Sequence, residues 1–124
     1  METIESIKKK FEGKFIGKTQ IVLCDEVLRI LSKYPERVPV LVENEKKCEL
    51  VLDKRKYLVP IDLTMGQFMF VIRKRLRMAP EQAMFMFVNG HQFQQSVTVK
   101  DVYDEQMSSD GFLRVSICQE NVFG

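Results

Sequence analysis

The side chains able to do chemistry are few, and they do not converge. His91 is the only histidine in 124 residues, so a two-histidine metal centre is excluded, and no serine or cysteine has an evident base partner. His91 directly follows Asn89-Gly90, a strong turn signal, and reads as a surface side chain. The carboxylates are scattered, with no pair spaced for acid and base roles. Gly13 and Gly17 lack the lysine and hydroxyl pattern of a phosphate-binding loop. Cys24, Cys48 and Cys118 are odd in number, widely spaced and set among apolar or mixed neighbours. That pattern fits buried reduced thiols better than disulfides or a metal site. No active site is visible, and the expectation is a non-enzyme without cofactor or metal.

Two stretches suit recognition instead. Lys54 to Pro60 alternates long cations with Tyr57, Leu58 and Val59, which reads as a short strand with charge and apolar surface side by side. Pro60 has no N–H for a ladder, so the strand stops there or lies at a sheet edge. Such a segment is either an ordinary strand of a small α/β domain or an exposed edge that receives another protein's peptide. Thr64 with Gln67 makes a capping-box pattern, and Leu63, Phe68, Val71, Ile72 and Leu76 follow at helical spacing. Arg73, Lys74, Arg75 and Arg77 crowd the C-terminal end of that helix, where the dipole favours cations. The cluster suits phosphate, but no clear aromatic stacking platform accompanies it, and a solvated helix end accounts for it.

The elements that must position these residues follow from pattern. With 45% hydrophobic residues, 29% charged residues and a formal net charge of +2, the composition is that of one globular domain and does not suggest a nucleic-acid binder. No apolar run approaches about eighteen residues, and the first residues lack the basic start and apolar stretch of a secretory signal. A cytosolic protein is the expectation. Ile4, Ile7 and Phe11 predict an amphipathic helix over Met1–Phe11; its Lys8-Lys9-Lys10 run is either a solvated end or a contact with acidic membrane or an acidic partner. A second helix is expected from Gln20 to Lys33, ended by Tyr34-Pro35. Strands are expected at Val38–Glu43, Lys54–Pro60, Met84–Val88 and Phe112–Cys118, the third buried on both faces. Asn44 to Lys47 reads as a turn, with Cys48–Leu52 as a ragged continuation. Ala79-Pro80 should stop the helix that Thr64 starts, and Thr98 with Asp101 caps a short helix through Glu105. After two N-terminal helices, this is the element order of a β-grasp domain.

Several of these segments together resemble one family. Lys33-Tyr34-Pro35-Glu36-Arg37-Val38-Pro39-Val40, Asp53-Lys54-Arg55-Lys56-Tyr57-Leu58-Val59-Pro60, Asp62-Leu63-Thr64-Met65-Gly66-Gln67-Phe68, Ile72-Arg73-Lys74-Arg75, Phe85-Met86-Phe87-Val88-Asn89, Asp110-Gly111-Phe112-Leu113 and Phe123-Gly124 are similar to the GABARAP-like autophagy ubiquitin-like modifiers. The match runs in one register over about residues 33 to 124, apart from small loop differences. The fold class expected is α+β, a ubiquitin-like β-grasp with a four-stranded mixed sheet and two additional N-terminal helices. The expected organisation is an N-terminal helical subdomain over 1–33, a β-grasp core over 34–118 and a C-terminal tail over 119–124, in a single folded domain.

The resemblance implies two activities. One is conjugation: activating and conjugating enzymes pass the Gly124 carboxylate to the amine of phosphatidylethanolamine, and a cysteine protease processes and deconjugates. Gly124 has no Cβ, which suits threading through narrow enzyme channels. The other is capture of receptors through an aromatic residue followed three positions later by Leu, Ile or Val and preceded by acidic residues, the peptide adding a strand to the sheet edge. By position, the aromatic pocket uses Glu26, Ile30, Pro39, Leu41, Lys56, Leu58 and Phe112. The aliphatic pocket uses Tyr57, Val59, Pro60, Leu63, Phe68 and Val71, while Arg37, Lys54 and Lys56 meet the acidic residues. The implied location is cytoplasmic, and the autophagosome membrane when lipidated; nucleic acid is not an implied partner. The N-terminal third departs from the family, which opens its second helix with a Phe and a basic residue where Gln20 to Cys24 is mostly apolar. Glu26 and Ile30 rest on counting back from Tyr34-Pro35. An unconjugated peptide-binding adaptor or trafficking protein of the same fold is the alternative.

Overall fold

The computed structural model describes residues 2–45 and 50–119; Lys46, Lys47, Cys48, Phe123 and Gly124 lie outside them. The element order is α1 (Ile4–Phe11), β1 (Phe15–Ile16), β2 (Thr19–Gln20), α2 (Asp25–Lys33), β3 (Arg37–Asn44), β4 (Lys56–Pro60), α3 (Met65–Arg75), β5 (Met84–Phe87), α4 (Val99–Gln106) and β6 (Leu113–Gln119). Four strands form one sheet in the order β4-β3-β6-β5, with β3 and β6 parallel and both outer pairs antiparallel. The fold is α+β with a mixed sheet and two helices before it, as expected.

Strand alternation divides the sheet into two faces. Val38, Val40 and Val42 of β3, Val59 of β4, Met84 and Met86 of β5, and Leu113, Val115 and Ile117 of β6 are all buried. They pack against Phe68 and Ile72 of α3 and Val99, Val102 and Tyr103 of α4 in one core. Thr64 starts α3 with a complete capping box: its hydroxyl accepts the Gln67 N–H at 3.1 Å, and the Gln67 side chain accepts the Thr64 N–H at 2.9 Å. Thr98 caps α4 with its hydroxyl, which accepts the Asp101 N–H at 3.2 Å. The other sheet face carries α2 over its β3–β4 end, and α1 packs on α2 with Ile7 buried.

Several sequence expectations need correction. The second helix starts at Asp25, not Gln20, because backbone donors upstream are used elsewhere. Ile21 N–H goes to Lys14 O (2.9 Å), Val22 N–H to Ser109 O (2.8 Å) and Cys24 N–H to Asp110 O (3.0 Å), which holds 21–24 extended. Before it, β1 and β2 pair as a hairpin around Gly17-Lys18, with Gly17 at φ +61°. α3 ends before Ala79-Pro80: Arg77 takes a left-handed φ of +54°, and Met78 N–H reaches back to Arg73 O in a Schellman motif. β5 is not buried on both faces, since Phe85 points outward from an outer strand. β4 begins at Lys56, leaving Lys54 in the preceding loop, and residues 50–52 are not strand. Cys118 is disulfide-bonded while Cys24 is a free thiol. Sequence spacing says nothing of which thiols the fold brings within bridging distance.

The loop between α4 and β6 locks α2 in place. Besides accepting from Val22 and Cys24, it receives the buried Tyr103 hydroxyl, which donates to Gly111 O at 2.7 Å. Burial, with Asp104 and Asp110 adding to it, keeps that phenol protonated far above its ordinary range. Asp110 accepts two hydrogen bonds from the Arg114 guanidinium (3.0 and 2.9 Å) and one from Phe112 N–H (3.1 Å). Gly111 has φ +94°, and a Cβ there would lie 2.4 Å from Leu23 Cδ2 and 2.9 Å from Val27 Cγ1.

Gly111→Ala should therefore cost roughly 2–4 kcal/mol, read as a lower urea midpoint. Gly13→Ala, at a positive φ with nothing within 4 Å of its Cβ, should cost about 1 kcal/mol; equal losses would remove the close-packing argument. Arg114's hydrogen bonds hold the Asp110 carboxyl below the usual carboxylate range, against the opposing effect of burial. A lowered folded pKa gives stability that is complete above the unfolded value near 4 and is lost as pH falls through the folded one. Both side chains keep solvent access, so the contribution is below about 1 kcal/mol. Asp110→Asn should lower stability at neutral pH and flatten this acid limb; unfolding curves of unchanged acid slope would contradict it.

Candidate functional site

β4 is an outer strand of the sheet, and the pairing parity decides what it offers. Val42 N–H donates to Arg55 O (2.7 Å) and Ile61 N–H to Glu36 O (3.1 Å), bracketing the register Arg37↔Pro60 to Leu41↔Lys56. Antiparallel ladders alternate, so even residues of β3 and odd residues of β4 exchange the hydrogen bonds. The peptide groups of Lys56 and Leu58 therefore face away from β3. Pro60, also outward, has no N–H to leave unpaired, and its carbonyl already accepts the Leu63 N–H at 3.1 Å. Pro39 costs β3 nothing for the same reason: it precedes the first β6 pairing at Val40↔Leu113. What remains is a short template of outward donors and acceptors.

The same alternation puts side chains on opposite sides of this edge. Lys56 and Leu58 share a face with their cross-strand partners Leu41 and Pro39. That face meets α2: Lys56 Nζ donates to Glu26 Oε2 at 2.6 Å, with both side chains substantially exposed. Leu58 is 39% exposed, Ile30 and Leu41 are half-buried, and Pro39 and Phe112 are buried. Tyr57 and Val59 point to the α3 face. The Tyr57 ring stands edge-on to Phe68, centroids 5.6 Å apart at 81°, and Lys54 Nζ lies 4.7 Å from the Tyr57 centroid. Burial pushes the Tyr57 phenol above its ordinary value, with Arg75 partly opposing. Leu63 and Pro60 are half-buried, Val71 is 42% exposed, and Val59 and Phe68 belong to the core.

The residues expected around an aromatic pocket thus gather on the α2 side of β4, and Tyr57, Val59, Leu63, Phe68 and Val71 of the expected aliphatic pocket on the α3 side, whereas Pro60, at the strand end, has the parity of Lys56 and Leu58. Gly124 lies outside the described residues. Arg37 curls over the margin, its Nη1 donating to the outward Leu58 carbonyl at 3.3 Å. Sequence reading missed the part played by the loop before β6: Asp110 and Gly111 position Leu23, Val27 and Phe112, and so set where α2 meets β4. Gly111 was the available signal, as a glycine before a strand often marks a close backbone approach. Also missed was Phe70, an exposed ring on α3 beside the basic cluster, in the place where no stacking platform was foreseen.

Among the described residues no group of histidine, cysteine, aspartate and glutamate is arranged to hold a metal ion, and no helix is long and apolar enough to cross a membrane. The comparisons with known proteins agree with one another. A family model described as "Autophagy protein Atg8 ubiquitin like" matches residues 23–124. Autophagy-related protein 8 of Mycosarcoma maydis is 47% identical over 100 residues, covering 80% of this chain and 85% of that one. Autophagy-related protein 8d of Arabidopsis thaliana is 45% identical over 100 residues, covering 80% and 83%. In three dimensions the crystal structure of Trypanosoma brucei ATG8 superposes with a TM-score of 0.72 at 30% identity, over 99% of this chain and 93% of the other. With its mixed sheet, its preceding helices and these relatives, the chain belongs to the Atg8 family of autophagy ubiquitin-like modifiers.

Proposed function

We propose that this modifier is joined through Gly124 to phosphatidylethanolamine on autophagosomal membranes, and there recruits receptors by adding their peptides to β4. The observation that carries the docking half is the outer strand with outward peptide groups at Lys56 and Leu58 between two side-chain clusters on opposite faces. A peptide paired along that edge points residues an odd number of positions apart to opposite faces. An aromatic residue and an aliphatic one three positions later therefore reach both clusters at once, one on the α2 side and one on the α3 side. An even spacing would send both to the same side.

Magnitudes favour entry over the resting contacts. The Glu26–Lys56 ion pair is exposed and contributes under about 1 kcal/mol. Burying an aromatic anchor supplies of order 2–4 kcal/mol. The arriving strand displaces Arg37 from the Leu58 carbonyl, and the freed guanidinium, with Lys54 and Lys56, meets acidic residues preceding the aromatic one. These charges act mainly on association rate and salt sensitivity. In the conjugation half, activating and conjugating enzymes carry the Gly124 carboxylate as a thioester. The lipid amine then displaces the thiol to form an amide, and a cysteine protease hydrolyses it. Two acyl chains hold a protein on a bilayer far more firmly than one.

Leu58→Ala should weaken binding of an acidic-aromatic-x-x-Leu peptide about tenfold in a calorimetric titration. Moving the aliphatic residue one position closer to the aromatic one should weaken it at least as much; full affinity for that shortened spacing would sink the two-face argument. In reconstitution with the conjugation enzymes and phosphatidylethanolamine liposomes, Gly124→Ala should abolish the lipidated band. A band of unchanged intensity would dispose of the conjugation half and leave an unconjugated adaptor.

A further inference from the structure

The basic cluster at the end of α3 is arranged for contact, not merely solvated. Phe70, Arg73 and Lys74 are spaced three and four apart on α3, and Arg77, just past the helix end at Arg75, lines the same surface and completes a stripe. Phe70 is 62% exposed, while the same helix buries Met65, Phe68 and Ile72 against the core. Lys74 Nζ lies 5.6 Å from the Phe70 centroid, and Arg73 Nη2 donates to Ala79 O at 3.1 Å, which folds the following loop against the stripe. With Met78 and Pro80 these residues line a shallow cavity of about 460 Å³.

Two further observations concern its cations. Arg75, on another side of α3, is paired with Asp53, whereas Arg73, Lys74 and Arg77 have no carboxylate within ion-pair distance among the described residues. Arg77 also sits at φ +54°, where glycine is the least costly residue. The chain keeps a long cation at a position that disfavours it.

We propose that this stripe is a second membrane contact, an anionic-headgroup surface that orients the protein once Gly124 has been joined to lipid. The inference rests on the conjugation reading, and topology connects the two. The loop from Met78 leads directly into β5, whose first residue Met84 pairs with Gln119, the last residue of β6. Pro80 is four residues before Met84, at most about 14 Å of chain. The Pro80 end of the stripe is thus tied by a short loop to the strand end that pairs with Gln119, the last described residue. Tethering raises the local headgroup concentration, so a contact that holds the free chain only at low salt becomes effective at physiological salt. Three cations near an anionic surface supply on the order of a hundredfold in partitioning, and Phe70 adds an apolar wedge between them. Single-stranded nucleic acid fits less well, because it stacks successive bases on several rings and this stripe offers one, with a lysine already over it.

The chain contains no tryptophan, so Phe70→Trp places a unique reporter in the stripe. The full chain carrying it is mixed at low salt with vesicles of phosphatidylcholine and phosphatidylserine in a roughly 2:1 ratio, or of phosphatidylcholine alone. Tryptophan emission should move to shorter wavelength and the chain should float with the anionic vesicles only. Replacing Arg73, Lys74 and Arg77 together by Gln should lower the bound fraction at least about tenfold with unchanged circular dichroism and melting. Emission that stays put on anionic vesicles, for both the free chain and the lipidated product, would overturn the proposal. So would variants that lose single-stranded RNA binding while vesicle binding is absent throughout. The lipidated band is scored separately: its absence from a chain that still floats with anionic vesicles would defeat the conjugation reading and uphold the surface.

Discussion

The docking surface depends on hydrogen-bond parity between β3 and β4. Shifting the register by one residue would turn the peptide groups of Tyr57 and Val59 to the margin and those of Lys56 and Leu58 inward. It would also exchange the strand faces, sending Lys56 into the core and Val59 into solvent. Core burial of Val38, Val40, Val59 and Phe68 therefore sets the docking surface as well as the stability. A site of this kind needs no special chemistry. It needs an outer strand whose inner face is committed and whose outer peptide groups are not.

What keeps that margin shaped is held at a distance from it. α2 forms one wall of the site, and its placement depends on the loop Ser108–Phe112, which accepts N–H groups from Val22 and Cys24 and carries the Gly111 contact with Leu23 and Val27. The buried Tyr103 hydroxyl and the Arg114–Asp110 pair brace the loop in turn. The N-terminal residues that differ most from the family thereby remain compatible with its architecture. The apolar run Ile21–Leu23 is a strap ahead of α2, with Ile21 buried and Leu23 against Gly111. α1 then packs on α2, leaving Lys56 and Leu58 exposed.

Much of this was legible in the chain because local and tertiary preferences agree. Thr64 with Gln67, Thr98 with Asp101 and Tyr34-Pro35 mark helix ends through bonds made within a few residues. The alternation of Val38 to Val42 and Leu113 to Ile117 marks strands whatever their partners. The misreadings fall where distant groups decide. Gln20 to Cys24 has helical periodicity, yet its donors are claimed by residues 109 and 110 and by Lys14. Phe85 sits in an apolar run that a central strand would bury, but β5 is outermost. Arg77 ends α3 in a conformation that its residue type does not advertise. For the candidate site, sequence order places its residues on adjacent elements, but only pairing parity reveals that the two clusters lie on opposite faces of one edge.

Residue-resolved amide exchange on the chain with and without an acidic-aromatic-x-x-Leu peptide tests this parity most directly. Strand addition at β4 predicts strong slowing for the outward N–H groups of Lys56 and Leu58, with Tyr57 and Val59, already in the ladder, little changed. Peptide binding that leaves Lys56 and Leu58 exchanging freely, or that protects the opposite edge at Met84–Phe87 instead, would contradict the account.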